Sequence, residues 1–321
     1  MFGLDCFAKK FPVDLVILWV DGSDPAFMNE RACWARKENC ENAASNHVAR
    51  FVQNDELRYV LRSVEKNLIW ISRVVLVTNG QVPPWLNTQH PHLRLLFHDE
   101  FMPKKALPTF NSCAIEAALP LWKGLTEHFL LANDDMFIWR PVSRSFFFPR
   151  YGQITNWRNF SKTPLRYNAS LYRRQLHHTY QLIQTQFCPS TQPKQFMHFE
   201  PHHNIDGYLK TMCNKSWEIY SQALQDTVYS RFRRADNVSR WLFAEISVLL
   251  GKGQWKTSYK HHFWGSSSCV WELGQNYERG VYRFRPKLVC LNDSESSTEQ
   301  DRKRLRNFLE RAFPEKSSFE K

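Results

Sequence analysis

Leu15-Val-Ile-Leu-Trp-Val20, stopped by Asp21-Gly22, is the stretch on which the fold turns. A short, β-rich apolar run closed by turn residues reads as a strand of a sheet covered on both faces. The pattern recurs outward from it. Val74-Val-Leu-Val77 ends at Thr78-Asn79-Gly80, Leu93-Arg-Leu-Leu-Phe97 is a weaker version, and Phe129-Leu-Leu-Ala132 ends at Asn133-Asp134-Asp135. Between the first two runs lies an amphipathic helix over about 55–66, with Leu57, Leu61 and Val64 on one face and Arg58, Arg62 and Glu65 on another. A second helix, 112–118, ends before Pro120. Strands alternating with helices predict an α/β fold: a Rossmann-like, largely parallel sheet flanked by helices.

Residues 151–230 break this rhythm and are rich in Gln, His, Tyr and Arg, with a helical stretch over 171–186. They read as an inserted, mostly helical subdomain or lid. The expected organisation is therefore 12–150 as the N-terminal part of the catalytic core, 151–230 as the insert, 231–293 as the C-terminal part of the core, and 294–321 as an amphipathic C-terminal helix. In that last helix Ser297 with Gln300 fits a capping box, and Leu305, Phe308, Leu309 and Phe313 form the apolar stripe. Arg302, Lys303, Arg304 and Arg306 crowd the same segment, so it reads as a helix docked on the core or a contact to anionic headgroups.

The chain has 321 residues, enough to bury a substantial core, and 43 Lys and Arg against 31 acids leave a net charge of +12. A cationic surface attracts polyanions of any kind. Nucleic acid ranks last among them, because neither zinc-finger spacing nor an aromatic–basic RNA signature accompanies the charge. The eight cysteines are scattered without a Cys-x-x-Cys pair, which reads as reduced thiols of a cytosolic protein. The five Asn-x-Ser sequons, at Asn159, Asn168, Asn214, Asn237 and Asn292, then read as chance matches. The N-terminal residues lack the pattern of a secretory signal, and no apolar run is long enough to span a bilayer.

In open α/β sheets ligands gather at the carboxyl ends of strands, which puts Asp21, Asn79, Asp134 and Asp135 at one candidate site. Adjacent carboxylates such as Asp134 and Asp135 suit Mg²⁺ or Mn²⁺, which take oxygen ligands and often bridge to substrate phosphates. The alternative is an ordinary turn. In Trp19-Val-Asp-Gly-Ser-Asp24, Gly22 lets the backbone approach a phosphate, and Asp21 and Asp24 can point into the same crevice. Arg50, Arg58, Arg62, Arg231, Arg233 and Arg234 offer forked donors to phosphate oxygens. His202 and His203 are candidate general bases.

These segments resemble the Stealth family of sugar-phosphate transferases. Four blocks carry the resemblance. The first is Asp14-Leu-Val-Ile-Leu-Trp-Val-Asp-Gly-Ser-Asp24. The second is long, running from Arg50-Phe51 and Asn54-Asp-Glu-Leu-Arg-Tyr-Val-Leu-Arg62 through Leu107-Pro-Thr-Phe-Asn-Ser112 to Glu127-His-Phe-Leu-Leu-Ala-Asn-Asp-Asp135 and Arg140-Pro-Val142. The third, more spread out, is Pro201-His202 with Arg231-Phe-Arg233 and Asp236, and the fourth is Val289-Cys-Leu-Asn-Asp293.

The resemblance, which is to the bacterial capsule branch, implies a GT-A-like core in which Asp21, Asp134, Asp135, Asn292 and Asp293 surround a divalent metal and the donor phosphates. Of these, Asp134, Asp135, Asn292 and Asp293 are the expected metal ligands. It implies that Arg58, Arg62, Asn111, Glu116 and Arg233 shape the site, with His202 near the acceptor; Gly22 and Asp24 join the substrate-binding set. Where many relatives carry His, this chain has Cys113, so no base is assigned there. The expected reaction transfers a hexose or N-acetylhexosamine 1-phosphate from a UDP-sugar to a hydroxyl of a glycan or capsule polymer. It releases UMP, with His202, Asp21 or Glu116 accepting the proton. A cytoplasmic enzyme touching the inner membrane peripherally is expected. The rivals are a metal-dependent glycosyltransferase releasing UDP and a non-catalytic polyanion-binding protein.

Overall fold

The computed structural model describes residues 11–41, 43–159, 170–187, 200–258 and 267–321. In chain order its strands are β1 (Val13–Leu18), β2 (Arg73–Thr78), β3 (Leu93–Phe97), β4 (His128–Asn133), β5 (Met136–Ile138), β6 (Ile154–Asn159), β7 (Asp206–Leu209), β8 (Gly253–Ser258), β9 (Ser268–Glu272) and β10 (Leu288–Asn292). Its α-helices are α1 (Pro25–Lys37), α2 (Glu56–Asn67), α3 (Ser112–Ala118), α4 (Leu171–Phe187), α5 (Lys210–Ile219), α6 (Ser221–Val228), α7 (Trp241–Leu249), α8 (Tyr277–Phe284) and α9 (Glu299–Ala312).

The main sheet has the order β3-β2-β1-β4-β7, parallel except for β7, which runs antiparallel to β4. Every residue of β1 is buried, because its side chains alternate between two cores. Leu15 and Ile17 join Leu57, Leu61 and Val64 of α2 and Leu305, Phe308 and Leu309 of α9 on one face. Val16 and Leu18 join Ala114 and Ile115 of α3, Leu176 and Tyr180 of α4 and Leu242 of α7 on the other. The α/β fold is therefore a mostly parallel sheet covered by helices on both sides.

The segment 151–230, expected as a mostly helical insert, holds strands as well as helices. It contributes β6, which pairs in parallel with β8, and β7, which completes the main sheet. Alternation of Tyr208 and Gly207 offers too little apolar signal over four residues to announce a strand. The terminal helix also begins one residue later than expected. Thr298, not Ser297, caps it: the Thr298 Oγ1 accepts from the Asp301 amide and the Asp301 carboxylate accepts from the Thr298 amide.

β4 and β5 are joined only by Asp134 and Asp135, yet they belong to different sheets. β5 pairs with β10 in a second, three-stranded sheet ordered β5-β10-β9. The acid pair is thus the hinge between two sheets, and the Leu291 amide donates to the Asp135 carbonyl at 3.1 Å. That junction brings Asn292, at the end of β10, to residues far away in sequence. No helix among the described residues is long and apolar enough to cross a membrane. None of the six described cysteines forms a disulfide.

Candidate active site

A cavity of about 800 Å³ opens where the strands of both sheets end. Trp19 and Val20 follow β1, Asn79 follows β2, His98 follows β3, and Asn133, Asp134 and Asp135 close β4. Glu272 of β9 and Asn292 of β10 reach it from the second sheet. Carboxyl ends of parallel strands leave loops free to carry function, and two sheets converging here double the number of such loops.

One wall is acidic. Burial pushes Asp134 well above the ordinary carboxylate range, and the neighbouring charges of Asp135 and Glu56 push it further. Burial likewise lifts Asp135 to about 6 and Glu56 to about 7. Glu56 stands in the first turn of α2, where its carboxylate accepts from the Asn54 amide at 2.6 Å and from Asn54 Nδ2 at 2.8 Å. The Cys290 thiol is shared between Asp135 Oδ2 at 3.5 Å and Asn292 Oδ1 at 3.2 Å. That leaves Asp135 Oδ1 and Asn133 Oδ1 buried with no hydrogen-bond partner. Unpaired buried oxygens are costly unless a ligand satisfies them, and hard divalent cations take such ligands. The donor set of two carboxylates and nearby amide oxygens fits Mg²⁺ or Mn²⁺. Among the described residues no three His, Cys, Asp or Glu side chains group closely enough to hold a metal by themselves.

Asp293 lines the cavity but is occupied. Its Oδ2 and Oδ1 receive the Arg302 Nε and Nη2 at 2.7 and 3.1 Å, and Asn54 Nδ2 adds a contact at 3.3 Å. This expected metal ligand is thus gripped by a guanidinium fork.

Imidazoles and arginines line the cavity as well. His202 is buried, with Nε2 at 2.7 Å from Asp206 Oδ1 and Nδ1 without a partner. Asp206 accepts from Nε2–H, so the tautomer leaves a lone pair on Nδ1. Behind it, Arg240 lies 3.9 Å from Asp206 and 3.5 Å from Glu116, and donates to the Asn204 carbonyl at 3.1 Å. Glu116 is thus part of a buried network that backs His202, in a small side pocket with Cys113 and His203. Burial raises the Glu116 carboxyl, opposed by Arg240 and Arg233. Burial also raises the Cys113 thiol to about 11, so it stays protonated. His203, held at φ +49°, is lowered to about 4 by burial and by Arg240 and Arg233.

Arg233 lines the main cavity and donates to Ser112 Oγ at 2.5 Å. Arg50 lines it too and is depressed to about 10, first by burial and then by the charge of Arg233. Two guanidiniums that repel each other across a cavity make a receptacle for anionic oxygens. Asn111, expected to bind substrate, also lines the cavity, but its amide is engaged. It caps α3 by accepting from the Cys113 amide at 3.1 Å, and its Nδ2 donates to the Ser230 carbonyl and Asn237 Oδ1, both at 2.8 Å. It fastens the Arg233 loop to α3.

Five expected residues stand apart from this cavity. Asp21 Oδ1 accepts from the Ser23 amide at 2.9 Å and from the Ser23 hydroxyl, closing its own turn. Asp24 caps α1 through the Ala26 amide and accepts from Gln81 Nε2 at 2.8 Å. Gly22 has no open face for a phosphate: a Cβ there would lie 1.9 Å from the Phe51 carbonyl oxygen, so glycine is required by chain packing. Arg58 stacks over Trp85 and pairs with Asp55 at 3.2 Å. Arg62, expected to bind substrate, is buried and forks onto Glu320 at 2.8 and 2.9 Å, with the Phe313 carbonyl as a third acceptor.

The similarities to known proteins follow the same blocks. Residues 11–34 match Stealth protein CR1, conserved region 1; residues 50–156 match CR2, conserved region 2; and residues 279–321 match CR4, conserved region 4. The exopolysaccharide phosphotransferase cps2G of Lactiplantibacillus plantarum is 29% identical over 337 residues, covering 97% of each chain. The capsular polysaccharide phosphotransferase eps5J of Streptococcus thermophilus is 38% identical over 169 residues, covering 50% of this chain and 71% of that one. The exopolysaccharide phosphotransferase SCO6023 of Streptomyces coelicolor is 47% identical over 156 residues, 48% of this chain but 26% of its own length. The chain thus spans nearly all of one relative and a quarter of another. A galactosyltransferase LgtC solved with donor and acceptor sugar analogues aligns at TM-score 0.42 and 9% identity, covering 92% and 95% of the two chains.

Proposed function

Because the chain belongs to the Stealth family of phosphotransferases, we propose that it transfers a hexose or N-acetylhexosamine 1-phosphate from a UDP-sugar to a glycan hydroxyl and releases UMP. The observation that carries this reading is the presence, in one cavity, of a buried Asp135 whose Oδ1 is unpartnered and a His202 whose Nδ1 is likewise unpartnered. One is a place for a cation beside a diphosphate, the other a place for a proton.

Asp134 and Asp135, with the amide oxygens of Asn133 and Asn292, would hold Mg²⁺ or Mn²⁺, which would neutralise charge on the donor diphosphate. Arg233 and Arg50 bind phosphate oxygens. The acceptor hydroxyl gives its proton to His202 Nδ1, and its oxygen forms a bond to the phosphorus that carries the sugar. The bond from that phosphorus to the bridging oxygen breaks, and UMP leaves with the electron pair. Asp206 holds the ring and stabilises the imidazolium so formed, while Arg240 and Glu116 hold Asp206. Positioning and charge supply most of the acceleration in such a transfer. Asp21, Asp24, Arg58 and Arg62 act here as framework.

Incubating the protein with a panel of UDP-sugars, a glycan acceptor and Mg²⁺ or Mn²⁺ should release UMP and add a phosphate-linked sugar, read by mass spectrometry. Release of UDP with a product lacking phosphorus would overturn this in favour of glycosyl transfer.

A further inference from the structure

Behind the cavity, β6 and β8 lie side by side with Trp157 opposite Lys256. The Lys256 Nζ sits 5.9 Å over the Trp157 ring, and Trp157 stacks on Phe146 with centroids 4.6 Å apart. The Lys287 Nζ sits 5.0 Å over Phe146. Arg140 lies against the same corner: its amide donates to the Lys287 carbonyl and its Nε to the Pro286 carbonyl at 3.2 Å. Arg285, exposed, stands next to Pro286. The side chains of Lys256, Trp157, Phe146 and Lys287 form one strip in which two stacked rings carry a lysine each, with Arg140 against it and Arg285 two residues away along the chain.

Among the described residues, none of Arg140, Lys256, Arg285 and Lys287 has a carboxylate within 4.0 Å, although most arginines elsewhere in the fold do. The strip is also self-repelling. The Lys287 ammonium is pushed below its usual range by burial, then by Arg140 and Lys256. Unneutralised like charges held together on a rigid strand pair favour a polyanion over a single ion. The strip is joined to the cavity by two strands. From Trp157 to the cavity-lining Asn159 is two residues of β6, about 7 Å, and from Lys287 to Asn292 is the length of β10, about 16 Å.

We propose that Arg140, Lys256 and Lys287, with Arg285 beside them, form a track for the phosphodiesters of the acceptor chain, holding the polymer while its terminal hydroxyl enters the cavity. The chemistry of this ligand rests on the phosphotransfer reading, since each transfer leaves one more anionic diester. The rings seat the lysine stems, and the ammonium heads stay in water to meet phosphate.

The test measures binding without any donor, so it stands apart from the question of which nucleotide is released. Fluorescent poly(glycerol phosphate) of about ten repeats serves as probe, neutral dextran as control, and anionic phosphatidylglycerol vesicles as a third arm. The Arg140→Gln/Lys256→Gln/Lys287→Gln protein should bind the probe on the order of 100-fold more weakly than the unmutated protein, with less dependence on salt. Turnover of a single-unit acceptor should keep its kcat and KM. Because Lys287 is half-buried, the surface pair Lys256→Gln/Arg285→Gln repeats the measurement, expected to weaken binding by roughly tenfold with an unchanged Tm. Unchanged probe affinity in both variants overturns the track. So does a loss confined to vesicle binding, which would make the strip a membrane contact.

Discussion

Asp135 presents its two oxygens to different surroundings, one shared with the Cys290 thiol and one with no partner. Replacing it by Asn should leave the turn intact and weaken Mn²⁺ binding by at least on the order of 100-fold, read by titration calorimetry independently of turnover. His128 offers a cleaner test of burial. Its ring is pushed down to about 4 by burial and by Arg144, and its Nε2 accepts from the Gly152 amide at 2.9 Å. Between about 6.5 and about 4 the unfolded chain binds a proton at this ring and the folded chain does not. Stability from His128 is therefore complete above pH 6.5 and falls as the pH drops towards 4, by up to about 3 kcal/mol. Urea unfolding of His128→Gln across that range should show a shallower acid slope. At this scale the acid pair was legible, because a strand end followed by turn residues is a local pattern. Glu56, Asp206 and Arg240 were not, since each takes its meaning from a partner on another element. Gly22 was read for the right freedom and the wrong neighbour, because nothing local foretells the Phe51 carbonyl.

Elements were easier to read than their ends. β1, β2, β3 and β4 and the helices α2, α3 and α4 all fall where apolar runs or periodicity place them. β7 and β9 did not announce themselves, since short strands completed by neighbours carry little periodicity. α9 shows what the pattern does convey. Leu305, Phe308 and Leu309 are fully buried against both α2 and β10, and Phe308 stacks on Trp139 at 5.3 Å. Phe308→Ala should cost about 3–5 kcal/mol, and Thr298→Ala, which removes only the cap, about 1 kcal/mol. Chemical denaturation of the two variants checks the ratio. Similar losses would mean that the helix depends on its cap rather than its packing.

Across the whole molecule, the last residues are fastened to the first half of the chain. Leu86 bridges Glu320, the Lys321 amide donates to the Trp85 carbonyl, and Arg62 forks onto Glu320 beneath the surface. Glu320→Gln removes the closer of the two carboxylates on Arg62, leaving Glu310 at 3.4 Å, and should destabilise the protein by about 1–3 kcal/mol, with unfolding still a single cooperative transition. Arg62→Met/Glu320→Leu should cost clearly less than the two single changes added together. Such long-range closure was invisible in the sequence, where Arg62 reads as a donor to phosphate and nothing local ties it to Glu320. The Arg302 fork on Asp293 has a consequence of the same reach. It makes the final helix a competitor for a carboxylate at the mouth of the reaction chamber. Any visitor that draws Asp293 towards itself loosens that helix, and by thermodynamic reciprocity whatever tightens the helix repels that visitor equally.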